Sequence, residues 1–185
     1  MTRESIVGPD GGEIVRLGPA TVRILEDGST TGHRLGIGEI TVAPHSSGPP
    51  QHRHARHDEG FYVVSGTARF TIGGTVHDAP PGTLAMIPPG APHTFANPGD
   101  EPLVLLNTFT PDLYVQYFRD LRELSGSGSG ADSGSGSGSR SGADSGSGSG
   151  DGPGDGPGGA PLAAETIARV MSRYATEVSD QYADE

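Results

Sequence analysis

From residue 1 to about residue 110 apolar and polar positions alternate in short runs, and Gly and Pro signals separate the runs. Ala68, Phe70 and Ile72 alternate with Arg69 and Thr71, which predicts a strand with one buried and one wet face. Gly73-Gly74 and a resumed strand over Thr75 to Ala79 predict a two-residue hairpin with positive φ at both turn positions. Pro80-Pro81-Gly82 and Pro88-Pro89-Gly90 bracket the apolar run Leu84 to Ile87, and the continuous run Leu103 to Leu106 suits a strand buried on both faces. This part of the chain therefore reads as all-β, a sandwich or barrel.

The period changes at Thr110-Pro111-Asp112. A hydroxyl N-cap, a proline at the first helical position and an acid in the first turn lead into Leu113, Tyr117, Leu121 and Leu124 at helical spacing, predicting a closing helix. From Ser125 to Gly159 the chain is Ser-Gly repeat with scattered Asp and no large apolar residue. Such a stretch cannot offset its ordering entropy and reads as a flexible linker, its ends roughly 30 to 35 Å apart. Beyond it, Leu162, Ile167, Val170, Met171, Tyr174 and Val178 form one apolar stripe, predicting an amphipathic helix that must dock on its own barrel or on a second subunit. The expected organisation is a barrel with its closing helix over 1–124, a linker over 125–160, and a helical tail over 161–185.

Composition narrows the function. The 185 residues carry 12 basic and 23 acidic side chains, a formal charge of −11 that repels phosphate backbones and anionic membranes, so no nucleic-acid or membrane partner is expected. All the basic residues are Arg, which together with the Gly, Ala and Pro excess reads as the codon bias of a GC-rich genome. No window has the length and apolarity of a membrane span, no leader pattern opens the sequence, and there is no cysteine. A cytoplasmic location is expected, and disulfides, thiolate metal sites and thiol nucleophiles drop out.

The candidate chemistry lies in two segments. In QHRHARHDEGFYVVSG, His52 and His54 are two apart and leave the same face of a strand. Glu59 has the wrong parity for the same strand, so the chain must turn over Ala55 to Asp58 and bring Glu59 back opposite the pair. Two imidazoles and a carboxylate suit Fe(II) and other first-row divalent ions, with positions left for substrate or dioxygen. In GTLAMIPPGAPHTFAN, Gly90 is expected at positive φ, aiming His93 from the start of a strand whose same face carries Phe95. His93 beside the other three is read as the fourth ligand. His57 reads as an exposed turn residue, His33, His45 and His77 as solvated, and Gly66 and Asn97 as turn residues. Phe61, Val63 and Phe95 share faces with the site and line either a pocket or the core.

The spacing of His52, His54, Glu59 and Gly66, and that of Gly82, Pro88, Gly90, His93 and Asn97, closely resembles the two motifs of the cupin family, with one departure at Ser46, where the family often has glycine. RYATEV at 173–178 is similar to the ending of bacterial quercetin dioxygenase-like cupins. The resemblance implies a double-stranded β-helix, a jelly-roll barrel holding one divalent transition metal (Fe, Mn, Ni, Co, Cu or Zn) in its mouth. It further implies a dioxygenase acting on a small enolic or aromatic, flavonol-like compound with Glu59 as catalytic base. The alternatives are a non-enzymatic binding or sensing module, or an isomerase or decarboxylase, for which Arg34 or Arg69 would have to meet a carboxylate. The family's habit and the apolar stripe of the tail predict a homodimer.

Overall fold

The computed structural model describes residues 4–127 and 162–179. Short strands follow one another through tight turns: β1 (Glu13–Leu17), β2 (Ala20–Asp27), β3 (Gly36–Val42), β4 (Ser46–Ser47), β5 (His52–His54), β6 (Asp58–Ser65), β7 (Ala68–Ile72), β8 (Thr75–Ala79), β9 (Leu84–Ile87), β10 (His93–Asn97) and β11 (Leu103–Thr110). Helix α1 (Val115–Ser127) follows, then α2 (Ala164–Met171) and a last strand, β12 (Thr176–Val178). One sheet runs β1-β2-β3-β11-β6-β9 and the other β12-β5-β10-β7-β8, with β4 beside β10, all antiparallel. Val15, Val22, Ile40, Phe61, Val63, Phe70, Leu103, Leu105 and Phe109 fill the space between them.

Strand alternation decides which face is buried, and it corrects one expectation: β11 is buried on one face only. Leu103, Leu105, Asn107 and Phe109 point inward, while Val104 and Leu106 are half exposed between them. The hairpin at Gly73-Gly74 is also simpler than expected, since Gly73 takes a positive φ of 57° and Gly74 does not. Gly90 is at φ 86°, as its position before His93 predicts. Asn97 ends β10 buried, its amide donating to the carbonyls of Val42, Ala43 and Glu101.

Both helical predictions shift. Thr110 closes β11, its bond to Pro111 is cis, and the first turn of α1 starts at Val115. The buried face is Tyr114, Val115, Tyr117, Phe118 and Leu121, whereas Leu113 is exposed. Arg119 fastens α1 to the sheet by donating to Glu13 at 2.8 Å and Asp27 at 2.9 Å, and its hydrogen bond holds the Asp27 carboxyl down at about 2. The tail is not one helix: α2 stops at Met171, a 3-10 turn covers Ser172–Tyr174, and Ala175 at φ 51° turns the chain into β12. Helical periodicity fitted the stripe, but Thr176–Val178 pairs antiparallel with β5 instead of continuing the helix. Val170 and Met171 are buried against the chain's own barrel and α1, and Leu162, Ile167, Tyr174 and Val178 pack there half-buried. Of the predicted linker, residues 128–160 lie outside the described residues. No helix among the described residues is long and apolar enough to cross a membrane.

Candidate metal centre

Strand β5 is three residues long and points His52 and His54 inward, with Arg53 between them exposed. The chain turns after His54 and enters β6, which places Glu59 on an inward position, and β10 opens with His93 directly opposite His52 in register. One donor atom from each of the four residues falls within 4.8 Å of all the others, and all four side chains are buried. First-row ions bond nitrogen and oxygen donors at about 2.0–2.2 Å, so two donors on one ion lie up to about 4.4 Å apart. The observed spread fits a single ion to within a few tenths of an ångström. The four-residue set predicted from the motifs is thus brought together.

Hydrogen bonds orient the rings. His52 Nδ1 lies 2.9 Å from the Pro50 carbonyl and His93 Nδ1 3.0 Å from the Ala91 carbonyl. A carbonyl only accepts, so both Nδ1 atoms carry the proton and leave the Nε2 lone pair facing inward. His54 Nδ1 lies 2.8 Å from Thr176 Oγ1, whose hydroxyl in turn donates to the Tyr174 carbonyl at 3.2 Å. Glu59 Oε2 stands 2.8 Å from Nε2 of His54 and 2.8 Å from Nε2 of His93. His93, whose Nδ1 proton goes to the Ala91 carbonyl, can face the carboxylate only with a second proton or a metal ion on Nε2, whereas His54 can also face it as a neutral ring that carries its proton on Nε2. In the metal-free protein the proton's pull is visible. Burial acts to raise the Glu59 carboxyl, but hydrogen bonds from His54 and His93 outweigh it and hold the group far below the carboxylate range. Burial acts to lower His93, and its bond to Glu59 raises it instead. His52, buried and next to other imidazoles, drops to about 3 and stays neutral.

Asn107, missed in the sequence, donates to Glu59 Oε1 at 3.0 Å and to the Gly60 carbonyl at 3.1 Å. A signal was present: it is the polar residue at an inward-parity position between Leu105 and Phe109 in LVLLNTFT. His57 overturns its reading as an exposed turn residue. Its ring is 1% exposed, lies 4.0 Å from the His54 ring centroid and near Phe109 and Tyr114, and neither nitrogen has a hydrogen-bond partner among the described residues. His33, His45 and His77 are exposed as expected.

A cavity of about 340 Å³ opens above the centre, reaching His52 and Glu59 at its floor. Its walls are mostly apolar or aromatic: Val22 and Ile40 from one sheet, Phe95 from the other, Tyr114, Tyr117 and Phe118 at and near the start of α1, and Leu162 and Ile167 from the tail. Burial holds both tyrosine hydroxyls protonated well above the ordinary range. Of the expected pocket residues Phe95 lines it, while Phe61 and Val63 belong to the core. Neither Arg34 nor Arg69 reaches it. Arg69 is on the outer surface paired with Asp78 at 2.7 Å, and the arginine at the cavity rim is Arg16.

Residues 38–109 match the family model for the cupin domain. Over these residues the chain resembles a cupin domain. Within curated sequences, 80 residues are 40% identical to mannose-1-phosphate guanylyltransferase ManC of Salmonella typhimurium, covering 43% of this chain and 16% of that protein. The fold is similar to KdgF from Halomonas sp., with TM-score 0.53 and 19% identity over 59% of this chain and 94% of that one. It is also similar to the polyketide cyclase RemF from Streptomyces resistomycificus, with TM-score 0.51 and 23% identity over 58% of this chain and 80% of that one. At these identities the two structures establish the jelly roll and not an activity. The cupin jelly roll predicted from the motifs is the fold observed.

Proposed function

We propose that the protein is a metal-dependent enzyme of the dioxygenase type, with His52, His54, Glu59 and His93 holding one divalent transition ion and a small enolic or aromatic compound occupying the cavity above. The observation that carries this reading is the convergence of Nε2 lone pairs and a carboxylate oxygen at the floor of an aromatic-walled cavity. A redox-capable divalent ion bound there would supply Lewis acidity to a substrate oxygen and electron traffic to dioxygen. The chain's residues do the rest. Asn107 holds Glu59 through Oε1 while Oε2 faces the imidazoles, so the carboxylate is fixed beside the ion, where it would accept a proton from a substrate hydroxyl. Phe95, Tyr114 and Tyr117 offer ring faces to a planar substrate and keep water from the electron-rich enolate. An acidic substrate, as an isomerase or decarboxylase would need, has among the described residues only Arg16 at the rim to meet it.

Reconstitution under anaerobic conditions with Fe(II), Mn(II), Ni(II) and Cu(II), followed by oxygen-uptake assays on flavonols and other enolic compounds, tests the reading. Glu59→Gln should still retain metal, more weakly, and lose about 10²- to 10⁴-fold in uptake. Ions retained without uptake on any compound would leave a binding module, and retention of none would end the metal reading.

A further inference from the structure

The metal donors and much of the cavity wall come from different parts of the chain. All four donors lie within residues 38–109, the stretch that matches the cupin model. Phe118 and Leu121 of α1, and Leu162 and Ile167 of the tail, line the cavity from outside that stretch. Ile167, Val170 and Met171 are spaced three and four apart, so they share one face of α2. Val170 and Met171 are fully buried, whereas Ile167, like Leu162 ahead of the helix, is only half-buried and lines the cavity. Packing against the barrel thus finishes one end of this apolar face and leaves the other end turned to the cavity. The tail is held in that place by β12, which pairs with β5, and by Tyr174, which donates to Asp120 of α1 at 2.7 Å. Among the described residues the only charged side chains on the wall are Glu59 at the floor and Arg16, solvent-exposed at the rim.

We propose that the tail is the selectivity wall of the cavity: Leu162 and Ile167, with Phe118 and Leu121, take the uncharged apolar end of a ligand whose oxygen-bearing head sits at the metal centre. This rests on the metal-binding function proposed above and narrows its substrate class. The cavity, about 340 Å³, falls in the range of sites that enclose a whole small molecule. A one-ring compound with the right head can reach the floor, but it leaves the two tail side chains as wet as before. A compound with further apolar rings covers them, and both surfaces leave water together, which adds affinity in proportion to the area removed. A charged far end would instead give up its hydration to a wall that offers it no partner short of Arg16 at the rim. The tail therefore discriminates among compounds that share one head, in favour of those with an uncharged, multi-ring body. Selection and metal chemistry reside in separate segments, so a change at Leu162 or Ile167 alters what is bound without moving a donor.

The full-length chain is titrated under argon with two compounds that share a hydroxy-ketone head: maltol, a single ring, and 3-hydroxyflavone, which adds two apolar rings. Wild type, Leu162→Ala and Ile167→Asn are each measured by calorimetry with Mn(II) and again after treatment with chelator. Wild type should bind 3-hydroxyflavone about 100-fold or more tightly than maltol. Each variant should lose about tenfold or more of that preference, all of it in affinity for 3-hydroxyflavone, while maltol and Mn(II) affinities stay within about twofold of wild type. Hydrogen exchange of the β12 amides reports whether the tail is still docked. Should Ile167→Asn release it, Leu162→Ala, which only shortens a half-buried side chain, decides. A wild type that binds both compounds equally or neither, variants that keep the wild-type preference, or an equal loss for both compounds overturns the proposal. A wild type that holds no Mn(II) would overturn the metal reading instead, and the chelator-treated series would still decide whether the tail selects the apolar rings, so the two failures are distinct.

Discussion

Replacing His57 with leucine removes a buried imidazole whose two nitrogens have no partner among the described residues, and puts in a side chain of nearly the same volume. Burial first, and then the charge of neighbouring His54, push the His57 pKa down to about 4. The neutral ring is already a burden: an unsatisfied buried polar group costs about 1–3 kcal/mol, so His57→Leu should stabilise the metal-free protein by that order near neutral pH. The pH dependence is the sharper signature. Between the unfolded value of about 6.5 and the folded value, the unfolded chain binds the proton and the native ring does not, so wild-type stability falls as pH falls through this window. The full loss is about 3 kcal/mol, reached below the folded pKa, and about 2 kcal/mol of it is spent by about pH 5. The advantage of His57→Leu over wild type should therefore widen by about 2 kcal/mol between neutral pH and about pH 5. Urea unfolding followed by circular dichroism, after dialysis against chelator, measures it. An advantage that does not change with pH, or a leucine variant less stable than wild type near neutral pH, would refute the reasoning by showing that the ring is hydrogen-bonded or hydrated.

Two further outcomes are expected. Asn107→Leu strips Glu59 Oε1 and the Gly60 carbonyl of their shared donor inside the core, so it should cost about 2–4 kcal/mol and weaken metal binding about 10- to 100-fold; urea unfolding and metal titration both unchanged would remove Asn107 from the site. Met171→Ala empties a fully buried position under the tail and should cost about 2–4 kcal/mol in thermal or urea unfolding and lower the hydrogen-exchange protection of the β12 amides, whereas a cost under about 1 kcal/mol would mean that the tail is not docked.

The all-β character, the hairpins and the four inward donors were legible because each rests on local rules. Alternation fixes the face of a strand, Gly90 permits the backbone that aims His93, and the HxH spacing puts two rings on one side of β5. Even Asn107 could have been found by asking why an amide sits on an inward parity. What the chain alone left open depends on packing between distant segments. His57 looks like a turn residue until Phe109 and Tyr114 close over it, and neither neighbour is near it in sequence. The stripe from Leu162 to Val178 satisfies helical periodicity, yet its last residues become a strand because the edge of β5 offers backbone hydrogen bonds that three residues of helix cannot match in that place. The surroundings of His54 are the clearest case. Residues near His52 and His93 supply the carbonyls that orient those rings, but the group that meets His54 Nδ1 is a hydroxyl on the far side of the Ser-Gly tract, and only the tertiary fold brings Thr176 to it.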